Sequence, residues 1–214
     1  MALPEAASLQ LAKACGINTP AHHVQPLRQG HALLVQRFDR LGPVNAEQRL
    51  HYLSASAWLN APCESHEGSY AGFAQSLGRW SATPEPDLQE LFRRLVFNLV
   101  LGNSGDHVKN HGVLYVGRGL YRLAPAFDLV PQRGGNLGYQ ELALLPGQHD
   151  SSLDLAVQAV PQIGLTSTQA TAVIRHTLDT VARDGSVTVR AVGGDPSLAR
   201  RLADFWVRQA KRIS

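Results

Sequence analysis

Cysteine is nearly absent, with only Cys15 and Cys63 among 214 residues. Two thiols so far apart fit no metal spacing, and with no secretion signal both read as reduced thiols in a cytoplasm. Cys15 reads as a small buried hydrophobe rather than a reactive group. No apolar run reaches the roughly 18 residues that a membrane helix needs. The start, Met1-Ala2-Leu3-Pro4-Glu5, has no basic stretch followed by an apolar one, so no signal peptide is expected. There is no internal repeat and no low-complexity tract. Neither charge sign dominates: 20 Lys and Arg against 17 Asp and Glu leave a net +3, with a pI near 9.1. That permits an acidic or phosphate-rich partner without arguing for one. Arg93-Arg94 and Arg200-Arg201 fall on expected helices, where a solvated face accounts for them better than a DNA contact.

What is present is a chain that is 44% hydrophobic, enough for a real core in one domain or two small ones. Glu5 to Cys15 reads as a helix stopped by Gly16, and Asn18-Thr19-Pro20 as a turn. His31 to Phe38 reads as a strand whose apolar run suits burial on both faces. Ala46–Leu59 and Tyr70–Leu77 read as helices separated by a polar loop around Cys63–Ser69. Thr83-Pro84-Glu85-Pro86-Asp87 is a helix-entry signal. The helix it opens, Leu88–Leu101, is apolar nearly all round and belongs at the centre of a domain. A polar loop follows, then strands Gly112–Val116 and Leu120–Ala124 joined by Gly117-Arg118-Gly119, a hairpin signal. Residues 131–150 read as Gly-rich and irregular. Helices are expected at Ser152–Val160, Ser167–Arg183 and Ser197–Arg212. Trp58, Trp80 and Trp206 read as core or helix-packing residues, Phe38 as buried, and Asp39-Arg40 as a local ion pair. His22-His23 reads as part of a solvated loop, because adjacent side chains diverge and no third metal ligand is near in sequence.

The chemistry concentrates between Gly102 and Pro131. A central apolar helix ends in a polar loop, a hairpin follows, and an Asp closes it. Protein kinases set out their active site in this order: a catalytic-loop Asp that accepts the substrate proton, an Asn five residues later on one metal, then a second metal-binding Asp. Here Asn110 and Asp128 fit the two hard-oxygen ligands, and the hairpin between them folds the chain back.

Gly102-Asn103-Ser104-Gly105-Asp106-His107-Val108-Lys109-Asn110-His111 resembles the catalytic loop of HipA-like kinases. Tyr121-Arg122-Leu123-Ala124-Pro125-Ala126-Phe127-Asp128-Leu129-Val130-Pro131 resembles their metal-binding segment, and Val35-Gln36-Arg37-Phe38-Asp39-Arg40 their hinge. Glu5 and the stretch Leu9–Gly16 match the helix before that hinge. The resemblance covers essentially the whole chain and is weakest after about residue 140. It implies one lobe over residues 1–214, with the hinge at about 31–40, the catalytic-loop segment at 102–112, the metal-binding segment at 121–131 and a helical part at 150–214. The implied fold is mainly α and protein-kinase-like, a C-lobe with one hinge strand and a short β-hairpin at the active-site loop.

Carried over by resemblance, Gln36, Arg37 and Phe38 meet adenine. His107, Val108, Lys109 and Asn110 line the phosphates, and Asn110 and Asp128 hold Mg²⁺. The implied reaction is ATP-dependent phosphoryl transfer to a Ser or Thr of a protein substrate such as an aminoacyl-tRNA synthetase. The implied partners are a helix-turn-helix antitoxin and, only through it, operator DNA; no membrane is implied. Two departures stand out. The family's base position, five residues before the Asn, holds Gly105, and an acid stands one place later at Asp106, the candidate base that remains. The family's Gly-rich phosphate loop and ATP-binding Lys precede the helix of Glu5, so transfer is expected only if another chain supplies an N-lobe. The competing expectations are a pseudokinase acting as an antitoxin-binding or protein-binding module, and a fragment of a longer kinase.

Overall fold

The computed structural model describes residues 2–60, 68–132 and 137–214. Cys63, most of the loop around it, and Gly134-Gly135 lie outside these residues. The chain is mainly α, with seven helices and seven short strands among the described residues. The centre is α4 (Pro84–Leu101), entered through Pro84 and closed by Gly102 at a left-handed φ of 69°. Leu91, Phe92, Leu95, Val96, Leu99 and Val100 are all buried, as an all-round apolar helix requires. Around it pack α3 (Tyr70–Trp80), α5 (Leu153–Ile163), α6 (Ser167–Ala191) and α7 (Pro196–Ile213), and α1 (Ala2–Ala14) packs on α6. No described helix is long and apolar enough to cross a membrane.

Three small antiparallel sheets occur among the described residues. Strand β1 (His22–Pro26) pairs with β2 (His31–Val35), and β3 (Arg40–Leu41) with β4 (Gln48–Arg49). Strand β5 (Tyr52–Ser54) pairs with β6 (Gly112–Gly117), which continues into the hairpin with β7 (Leu120–Leu123). The single hinge strand of the sequence reading is therefore one member of a hairpin. It ends at Val35, and Leu34 and Val35 are exposed rather than buried on both faces, because a two-stranded sheet covers only the side that meets α1.

Several other expectations change. The helix expected over Ala46–Leu59 is a 3₁₀ turn, β4, β5 and only four residues of α2 (Ala55–Trp58). Pairing with β6 claims Tyr52–Ser54, and the Ser54 hydroxyl then caps α2 by accepting from the Ala57 amide. His22 and His23 belong to a strand, not a loop; the His22 ring lies 3.0 Å from the Pro20 carbonyl. Arg94 is 2% exposed, not solvated: it donates to Glu90 and, over 2.7 Å, to the Ala124 carbonyl. Trp206 is buried, but Trp80 is half exposed and Phe38 only half buried. Asp39 pairs with Arg40 at 3.2 Å and more closely with Arg37, whose guanidinium grips both carboxylate oxygens.

The β5–β6 contact positions the start of the hairpin, and it depends on Gly112. A Cβ there would lie 2.5 Å from the Leu53 carbonyl oxygen and press into the Tyr52 ring. Gly112→Ala is expected to cost about 3 kcal/mol, seen as a lower urea midpoint for unfolding.

Candidate functional site

Gly102 ends α4 and turns the chain into a loop that a second segment braces. The amides of Gln132, Glu141 and Leu142 donate to the carbonyls of Gly102, Ser104 and Asp106 over 3.1, 3.1 and 2.8 Å. A single 3₁₀ turn, Val108–Asn110, then delivers Asn110 to the start of β6. The hairpin returns the chain through Ala124 and Ala126, both buried, to Asp128.

Asn110 and Asp128 converge. The Asn110 Nδ2 donates to Asp128 Oδ2 across 2.8 Å. A half-turn of the amide would put Oδ1 in place of Nδ2, leaving two oxygens about that far apart. Adjacent ligands on an octahedral Mg²⁺, with bonds of about 2.1 Å, stand about 3 Å apart, so the pair fits one edge of such a cation. No cluster of three His, Cys, Asp or Glu suited to a metal occurs among the described residues. A two-oxygen seat matches a cation that keeps waters and takes phosphate oxygens. Asp128 is exposed and held at φ 57°, a left-handed conformation uncommon outside glycine, of the kind that recurs at functional sites.

The residues expected to form a hinge meet the same place. Val35, Gln36, Arg37, Phe38 and Asp39 line a cleft of about 520 Å³ together with Glu5, Tyr52, Phe127 and Asp128. The Phe38 ring packs 5.6 Å from Tyr52, edge-on, and 5.8 Å from Phe127. The cleft is thus aromatic in its middle and acidic at one end. Tyr52 and Phe127 were not legible as site residues, because only the fold brings them to Phe38. Burial pushes the Tyr52 hydroxyl up to about 12. Of the other candidates, Val108 is buried, His107 half buried and Lys109 exposed, and none of them lines this cleft.

The sequence marks Glu5 only as part of the helix before the hinge. Its carboxyl is raised above the usual range, first by burial and then by the negative charge of Asp128. Folding thus disfavours its ionised form relative to the unfolded chain. Its contribution to stability is therefore largest below the ordinary carboxylic pKa and falls as pH rises through the folded value. Glu5→Gln is expected to raise the thermal midpoint at pH 7 and leave it unchanged near pH 3, as followed by circular dichroism.

Asp106 is placed apart from the cleft. It is buried, its Oδ2 accepts from the Tyr70 hydroxyl, and its Oδ1 lies 2.9 Å from His111 Nε2. Tyr70 is raised well above its ordinary value, first by burial and then by the Asp106 charge beside it. Both oxygens of the candidate base Asp106 are thus engaged inside the fold. Gly105 is half buried, and a Cβ there would meet only Gln132 Nε2, at 3.4 Å. Cys15 is buried, and burial pushes its thiol up to about 12. It should resist alkylation at pH 8 in the folded chain and react once urea unfolds it, as read by peptide mass spectrometry.

Residues 1–184 match the family described as HipA-like C-terminal domain. Among curated proteins, "Putative kinase Y4mE" of Sinorhizobium fredii is 31% identical over 132 residues, 59% of this chain and 31% of that protein. "Putative kinase Y4dM" of the same organism is 35% identical over 104 residues, 47% of this chain and 24% of that protein. The matches thus span about a third or less of these relatives. Among solved structures, the complex of Shewanella oneidensis HipA, HipB and operator DNA contains a chain of similar fold. That chain aligns with a TM-score of 0.82 at 18% identity, covering 100% of this chain and 56% of its own length. The Helicobacter pylori proinflammatory kinase CtkA aligns with a TM-score of 0.58 at 12% identity, covering 99% of this chain and 87% of its own.

Proposed function

The chain belongs to the HipA-like C-terminal domain family, and on that premise we propose that it is the hinge- and cation-bearing lobe of a Ser/Thr protein kinase from a toxin–antitoxin pair. The observation that carries this reading is the 2.8 Å approach of Asn110 to Asp128 beside a cleft lined by Gln36, Arg37 and Phe38. Phe38, Tyr52 and Phe127 form an apolar bed for adenine. Asn110 and Asp128 supply the protein oxygens for Mg²⁺, which when bound neutralises charge on the phosphates in transfer. Glu5 lines the same cleft end as Asp128, the place for the helix Glu that pairs with the ATP-binding Lys in protein kinases. That Lys and the Gly-rich loop would come from more of the same polypeptide or from a second chain.

Phosphoryl transfer by this lobe lacks one part. Gly105 stands where the resemblance places the base, and Asp106 faces Tyr70 and His111 instead. These observations favour a second reading, a lobe that binds nucleotide weakly and serves chiefly as a protein-binding module. The proposed partner is a helix-turn-helix antitoxin, with operator DNA reached only through it. The support is that the similar Shewanella structure is a complex with HipB and operator DNA. The proposed compartment is the cytoplasm.

Calorimetry tests the nucleotide reading. With hinge and cation oxygens alone, these 214 residues should bind Mg·ATP with Kd of about 1 mM or weaker, a free energy no better than roughly −4 kcal/mol. Micromolar binding would reveal phosphate contacts outside the site described.

A further inference from the structure

Asp106 anchors something other than a substrate. The Tyr70 hydroxyl donates to its Oδ2, which leaves the phenol oxygen to accept from Asn98 Nδ2 at 3.1 Å. That orients the Asn98 amide, whose Oδ1 then accepts from Asn103 Nδ2 at 3.2 Å. The same Asn103 nitrogen reaches the Asp128 carbonyl at 3.5 Å. On the other side, Asp106 holds the ring of His111, the residue after Asn110. The His111 carbonyl is held in turn by the Ala55 amide at 2.7 Å and the Tyr52 hydroxyl at 3.3 Å.

Every side chain between the two ends is buried: Tyr70, Asn98, Asn103, Asp106 and His111. From the Asn103 amide the donations run through Asn98 and Tyr70 to the Asp106 carboxylate, while the same amide donates to the Asp128 carbonyl, and His111 on the other side of Asp106 follows Asn110. We infer that Asp106 is a positioning residue, the fixed terminus of a buried hydrogen-bond chain that sets the spacing of Asn110 and Asp128 and so their grip on a divalent cation. This rests on reading those two residues as the cation pair. Asp106 acts on the cation only through the Tyr70–Asn98–Asn103 relay and through His111. The loop can then lack an acid at Gly105 and still require the acid next to it.

Such relays behind metal ligands typically change affinity by about 10–100-fold when broken. The probe is Mn²⁺, titrated into the full 214-residue chain and followed by electron paramagnetic resonance and by broadening of the Asn110 side-chain amide signal. Asp128→Ala should abolish the broadening. Tyr70→Phe keeps the ring and removes only the hydroxyl; it should weaken Mn²⁺ binding about tenfold in a chain that circular dichroism shows to be folded. Asn103→Ser reads the same quantity from the loop if Tyr70→Phe does not fold. Leu202→Val, a core change on α7, should lower the thermal midpoint and leave Mn²⁺ affinity alone. Wild-type affinity in folded Tyr70→Phe, or in Asn103→Ser, would overturn the positioning role and leave the cation pair standing. Broadening that survives Asp128→Ala would overturn the cation pair itself, and the positioning role with it.

Discussion

Gly105→Asp should raise phosphoryl transfer by about 10²–10⁴-fold, the usual contribution of a positioned general base, once a complete N-lobe from a relative is supplied. The substitution puts a carboxylate five residues before Asn110, where the resemblance keeps one. The site has room: a Cβ at Gly105 meets nothing closer than Gln132 Nε2 at 3.4 Å, and Gly105 is not among the positive-φ glycines. The amide of Gln132 can turn to donate to the new carboxylate, which would hold it in the loop. The measurement is transfer of labelled γ-phosphate to a Ser- or Thr-containing substrate in the reconstituted complex. An unchanged rate would show that the missing base is not what limits this lobe, and would favour the protein-binding reading.

Asp106→Ala should act on the fold rather than on a chemical step. It removes the acceptor of the Tyr70 hydroxyl and the partner of His111 Nε2 in a region closed to water. Leaving buried polar groups unsatisfied costs about 1–3 kcal/mol each. The loss across the two sides should total roughly 2–6 kcal/mol, and for a domain of this size about 2–4 °C of thermal midpoint goes with each kcal/mol. A fall of roughly 4–24 °C is expected on that scale, read by differential scanning calorimetry. A midpoint within about 1 °C of wild type would mean that Asp106 does not carry the buried network, whatever it does for cations.

The parts of the site legible in the sequence are those set by local chain order. Leu88–Leu101 is apolar all round, so its central place follows from its own composition. Gly117-Arg118-Gly119 marks the hairpin, and the hairpin alone brings Asp128 back to Asn110. The parts that stayed hidden depend on partners far away in the chain. Tyr52–Ser54 is a strand because β6 pairs with it 60 residues later, at Gly112–Leu114; within the surrounding segment its own pattern suits a helix equally well. Asp106 looks like a free loop acid until Tyr70, 36 residues earlier, is placed against it. Arg94 looks solvated until the Ala124 carbonyl, 30 residues on, accepts from it inside the core. Phe127 falls inside the metal-binding segment and Glu5 in the helix matched before the hinge, but only the assembled cleft shows that both wall it.

The most direct test of the account is a nuclear magnetic resonance titration of the 214-residue chain with Mg·ATP at several millimolar, repeated with Asp128→Ala and with ATP in the absence of Mg²⁺. A lobe that seats adenine at the hinge and Mg²⁺ on Asn110 and Asp128 predicts shifts confined to Gln36–Phe38, Tyr52, Phe127, Asn110 and Asp128. Those at Asn110 should vanish without Mg²⁺ or without the Asp128 carboxylate. Shifts clustered instead at Lys13, His22 and His23, in the separate cleft between α1 and β1, or shifts at Asn110 that are indifferent to Mg²⁺ and to Asp128→Ala, would contradict it.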